Sequence, residues 1–90
     1  MIKTILKRQV IKRCPYKDEM DAGELTITMS SRAPELHALG AQVDEIAAQP
    51  ISHEDFTQAV WALCPDALVV TTWNTGPWSV EVREDPRELT

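Results

Sequence analysis

Residues 24–50, ELTITMSSRAPELHALGAQVDEIAAQP, change period half-way, and that change decides the fold. In ELTITM the apolar side chains alternate, with Leu25, Ile27 and Met29 on one face and Glu24, Thr26 and Thr28 on the other, as in a half-buried strand. After the serines the spacing becomes helical. Leu36, Leu39, Val43 and Ile46 fall on one stripe, and Pro50 ends the run. Directly after it, ISHEDFTQAVWALCP (51–65) opens with Ser52 and Asp55 in a capping-box-like arrangement and sets Phe56, Val60, Leu63 and Cys64 roughly on one stripe. Two consecutive amphipathic helices therefore follow a strand.

Working outward, IKTILKRQVIK (2–12) mixes apolar and basic side chains without Gly or Pro and reads as a strand that pairs with ELTITM across the polar segment CPYKDEMDAG (14–23). At the other end, ALVVTTW and WSVEVRE are strands joined by NTGP, with Trp73 expected to face Trp78 across them and Trp78, Val80 and Val82 expected to face the core. The order is ββααββ. It implies an α+β layer pair in which two antiparallel helices cover one face of a four-stranded antiparallel sheet. One domain is expected over 1–90, with 85–90 as a frayed tail.

The 90 residues carry a net charge of −5, which argues against general nucleic-acid affinity. Lys3, Lys7, Arg8, Lys12 and Arg13 nevertheless crowd the first strand. They would guard an outer edge against association or, if they shared a face, meet an anionic partner. No apolar stretch is long enough to span a bilayer, and MIKTILKRQV lacks the apolar centre and cleavage site of a signal peptide, so a cytoplasmic location follows by default. Two cysteines and two widely separated histidines form no zinc pattern, so no metal and no disulfide is expected.

Chemistry concentrates at two places. Cys14 follows Lys12 and Arg13, and neighbouring cations favour the nucleophilic thiolate form of a cysteine. Pro15 stiffens the chain after it, and the loop could return Asp21 toward the sulfur as a proton carrier. A small apolar residue at a strand end is the plainer reading of Cys14, and it suits Cys64 well. Ser52-His53-Glu54-Asp55 opens a helix, where acidic side chains complement the helix dipole. A carboxylate there can also accept two N–H donors from a purine-like ring, and Glu35 has the same two readings.

Together these stretches resemble the tunnelling-fold, or T-fold, superfamily, and within it the nitrile reductase family of queuosine biosynthesis, the QueF-like proteins. Cys14-Pro15 with Asp21 seven residues on is similar to that family's Cys-Pro motif and aspartate. His53-Glu54-Asp55 is similar to its His-Glu-Asp stretch, and Glu35 to its earlier glutamate. The resemblance implies a cysteine nucleophile (Cys14) that attacks the nitrile of 7-cyano-7-deazaguanine to give a thioimide. It further implies Asp21 as general acid/base, His53 as proton donor or orienting group, and Glu54 and Glu35 as anchors of the base. It also implies a homo-oligomer with pockets between subunits. Glu35-Leu36-His37-Ala38 replaces the Glu-Ser-Lys-Ser-x-Lys stretch linked to NADPH, and Asn74-Thr75-Gly76-Pro77 replaces an Arg-Gly-Gly turn. No cofactor is therefore expected, and NADPH lacks its motif. A related amidinotransferase branch, acting on tRNA in archaeosine formation, dispenses with NADPH and matches these losses better. Against these enzymatic outcomes stands a non-catalytic T-fold relative or an α+β interaction protein, in which Cys-Pro is a turn and His-Glu-Asp a helix cap.

Overall fold

A computed structural model describes residues 1–87. Its elements are β1 (Thr4–Arg13), β2 (Met20–Met29), α1 (Leu36–Ala47), α2 (His53–Leu63), β3 (Leu68–Thr75) and β4 (Trp78–Glu84), the expected ββααββ order. The four strands form one sheet in the order β1-β2-β3-β4, antiparallel throughout. Both helices are inserted between the two central strands and pack on the same face.

The alternation in ELTITM is realised as read. Leu25, Ile27 and Met29 are buried, and with Val10 and Val69 they meet Leu39, Val43 and Ala47 of α1 and Phe56 and Val60 of α2. Each fully buried side chain of this size contributes about 1.5–3 kcal/mol relative to exposure, so this layer is the main source of stability. Leu36, assigned to the apolar stripe of α1, is exposed because it lies in the first turn, beyond the end of the covered surface. Caps fix both helix starts: Ser52 Oγ accepts from the backbone N–H of Asp55, and Glu35 accepts from the N–H groups of His37 and Ala38.

Two expectations about the tryptophans need correction. The loop between β3 and β4 has only two residues, Gly76 and Pro77, and Gly76 takes a φ of 57°, as the first loop position of such a hairpin can require. This length pairs Thr75 with Trp78, so Trp73 lies opposite Val80, not Trp78. Trp78 is left exposed at the turn end of the hairpin, and Val80 and Val82 are half-buried. Trp73 itself is a core residue at 2 % exposure.

The basic strand is also divided. Lys7 and Arg13 point to the open face of the sheet, whereas Arg8 and Lys12 share the helix-covered face with Val10. Arg8 reaches Asp44 of α1 at 2.8 Å, an exposed pair of small energetic weight. Lys12 is fully buried. Of the tail expected to fray, residues 88–90 lie outside the described residues, while the Arg87 N–H donates to the Pro65 carbonyl at 2.7 Å. Among the described residues no helix is long and apolar enough to cross a membrane.

Candidate active site

Cys14 begins the β1–β2 connection, which closes on itself through a 2.9 Å hydrogen bond from the Cys14 N–H to the Glu19 carbonyl. Asp21 lies opposite Lys12 in the β1–β2 register and so returns to the base of the same loop. The segment before α2 is pinned here by the Ile51 N–H, which donates to the Arg13 carbonyl at 3.2 Å. One backbone bond thus places the start of α2, with His53 and Glu54, beside the cysteine.

The result is a cavity of about 680 Å³ with Cys14, Asp21, His53 and Glu54 on its walls, closed on another side by Thr75 and Gly76 of the β3–β4 turn. Four of the five candidate residues, drawn from two separate stretches of sequence, converge on it. Glu35 does not. Its carboxylate is spent on its own helix, accepting from the Ala38 and His37 N–H groups at 2.6 and 3.1 Å and meeting the His37 ring. These bonds hold its carboxyl below the usual value.

The Cys14 sulfur and carboxylate oxygens of Glu19 and Asp21 all lie within 4.8 Å of one another, which puts a thiol and a carboxylate within the range of proton exchange through one intervening group. The same three residues could offer ligands to a cation. However, the Lys12 ammonium already sits 3.0 Å from Asp21 Oδ2, and its positive charge opposes a second cation there.

Sequence reasoning missed the buried ring behind the cavity wall, on which His53 and Lys12 rest. Trp73 packs close against Gly23, where an added Cβ would collide with the ring. Its indole N–H donates to Thr71 Oγ1 at 2.9 Å, and Thr71 Oγ1 lies 2.6 Å from Thr57 Oγ1, so the buried polar atoms are partnered. On this ring rest the His53 imidazole, stacked at 4.6 Å and 9° between planes, and the Lys12 ammonium, 4.9 Å from the ring centroid. Phe56 meets the indole edge-on at 5.6 Å. His53 Nε2 is 2.9 Å from Thr75 Oγ1, and Nδ1 is enclosed without a hydrogen-bond partner among the described residues. Burial first, and then the charge of Lys12, lower the pKa of His53 from its ordinary value, against the raising influence of Asp21 and Glu54. A signal for Lys12 did exist: strict alternation with Leu6 and Val10 puts it on the inward face.

No protein-family model matches this chain, and no curated protein matches it. Among solved structures it is similar to an apo-form crystal structure of the archaeosine synthase QueF-Like, with a TM-score of 0.78 at 16% sequence identity. That similarity covers 98% of this chain and 96% of the other. The fold that the resemblance implied is therefore matched in three dimensions: the chain is an α+β unit with the T-fold-like architecture of that protein over nearly its whole length.

Proposed function

We propose that the chain is a QueF-like enzyme of 7-deazaguanine modification that captures the nitrile of 7-cyano-7-deazaguanine on Cys14. The observation that carries this reading is the convergence of Cys14, Asp21, His53 and Glu54 on one cavity, with the sulfur and the Asp21 carboxylate within 4.8 Å.

In the step envisaged, Asp21 accepts the thiol proton, the Cys14 thiolate adds to the nitrile carbon, and a π-bond electron pair of the nitrile passes to its nitrogen. Asp21 returns the proton to that nitrogen, giving a neutral thioimide with no net oxidation or reduction. Glu54, at the cavity mouth, accepts the N–H donors of the base. His53, held by Trp73 and Thr75, orients the ring.

An amidinotransferase outcome suits the chain better than a reductase. There an amine attacks the thioimide carbon, the Cys14 thiolate leaves, and an amidine results. The start of α1 does not fit a dinucleotide phosphate: Glu35 presents a carboxylate, and α1 (LHALGAQVDEIA) contains no Lys or Arg. No step here is routed through NADPH. We further propose a homo-oligomer. β1 and β4 are both edge strands, open to pairing with neighbouring copies. Lys7 and Arg13 on the open sheet face would meet tRNA phosphates.

One observation favours a second reading, a non-catalytic T-fold relative: Asp21 is already engaged by a buried lysine, as a structural ion pair would be. Titration with the nitrile base separates the two. Under the enzymatic reading the base quenches tryptophan fluorescence, protects Cys14 from alkylation, and binds more weakly to Glu54→Gln. Absence of both quenching and protection would leave the non-catalytic reading.

A further inference from the structure

We infer that Lys12 is a positioning residue of this site, clamping Asp21 at the Cys14 end of the cavity while governing the charge of His53 across the Trp73 ring. The inference rests on the reading of the cavity as a nitrile-capturing site.

Lys12 is the only lysine or arginine in the core, with 0% of its side chain exposed. Placing an ammonium there is costly unless it is paired. Its partners are the Asp21 carboxylate at 3.0 Å, which lines the cavity as Lys12 itself does, and the Trp73 ring at 4.9 Å, on which the cavity-lining His53 stacks. A lysine serving stability alone has no need to face the cavity beside a candidate proton carrier. From this place it does two things. It fixes the rotamer of Asp21, so that the carboxylate stays within 4.8 Å of the sulfur. It also opposes a second positive charge on His53, which stacks on the same indole. The charged and titratable groups around His53 are Lys12 of β1, Asp21 of β2, Glu54 of its own helix, and Cys14, Tyr16, Lys17 and Glu19 of the β1–β2 loop. Lys12 is the buried cation among them. Proton transfer thereby falls to Asp21, and His53 is kept as a neutral hydrogen-bonding ring.

The test compares wild type with Lys12→Gln, which keeps a donor without charge on a side chain one atom shorter, and Lys12→Arg, which keeps the charge. Histidine NMR titration is well suited, because the chain has two histidines and fully exposed His37 serves as an unmoved reference. The His53 midpoint should rise in Lys12→Gln, remain low in Lys12→Arg, and fall further in Asp21→Asn, where the lysine loses its counter-charge. The rate of thioimide formation on Cys14 should drop on the order of 100-fold in Lys12→Gln, as for a misplaced reacting group, with partial rescue in Lys12→Arg. A folded Lys12→Gln with wild-type His53 midpoint and adduct rate would overturn the inference. If Lys12→Gln does not fold, an unmoved His53 in Asp21→Asn overturns it alone. Absence of any adduct in wild type would instead overturn the proposed function, with the histidine titrations still deciding the role of Lys12.

Discussion

Replacing Gly23 by alanine should damage fold and site together, and the structure sets the size of the effect. A Cβ at Gly23 would lie 2.7 Å from the Thr72 carbonyl oxygen and from Trp73 Cζ3, and closer still to Cε3. Ordinary contact begins near 3.4 Å, so the ring and a backbone oxygen of the paired strand must both retreat by about 0.7 Å or more. Overpacking of this kind costs about 1–3 kcal/mol. Lifting Trp73 also disturbs its stack with His53 and its edge contact with Phe56, each worth about 0.5–1.5 kcal/mol, and its contact with Lys12. Alanine's lower backbone entropy returns at most about 1 kcal/mol. The expected loss is therefore about 2–4 kcal/mol, against a total of roughly 5–13 kcal/mol for a chain of this length. Urea unfolding followed by far-ultraviolet circular dichroism measures the loss, and the near-ultraviolet spectrum reports the tryptophan. A loss below about 0.5 kcal/mol with an unchanged near-ultraviolet spectrum would refute the account of Trp73 lying on Gly23.

Gly40 is the contrasting case. Within α1 an added Cβ meets only Arg8 Nη1 at 3.9 Å, so Gly40→Ala should stabilise the protein by about 0.5–1 kcal/mol in the same urea assay. Stability should also fall as pH drops from about 7.5 to about 5.5 through His53. Its folded pKa lies below the ordinary 6.5, so the unfolded chain binds the proton more readily in that window, and His53→Gln should flatten this part of a stability-against-pH curve. Burial pushes the Cys64 thiol up from its ordinary value, so a neutral-pH alkylating reagent should label Cys64 slowly, with Cys14 labelled first when peptides are mapped by mass spectrometry.

The layer architecture was legible because its signals are periodic and local. The alternation of Leu25, Ile27 and Met29, the helical stripes, and Ser52 before His-Glu-Asp each act within a few residues. Cys14, Asp21, His53 and Glu54 were likewise legible as candidates from their motifs, and the structure gathers them into one cavity. What escaped depends on register. The Trp73 to Val80 pairing follows from a turn of two residues, and a hairpin longer or shorter by one would have changed the partner. Burial of Trp73 depends on Gly23 in the neighbouring strand, which a reading of either strand alone does not supply. Lys12 was hidden by its charge among five basic residues, although its alternation with Val10 marked it as inward. Glu35 was ambiguous because a carboxylate before a helix serves equally as a cap or a ligand; the structure shows it capping α1, apart from the cavity.

The most direct test of nitrile capture on Cys14 is intact-mass spectrometry of the protein mixed with 7-cyano-7-deazaguanine, beside Cys14→Ala. A gain of one base mass, with no mass lost, is predicted for the wild type, because addition to the nitrile expels nothing, and none for the variant. An unmodified wild-type mass under conditions where Cys14 is reduced and the protein folded would contradict it, leaving the cavity without the chemistry assigned to it.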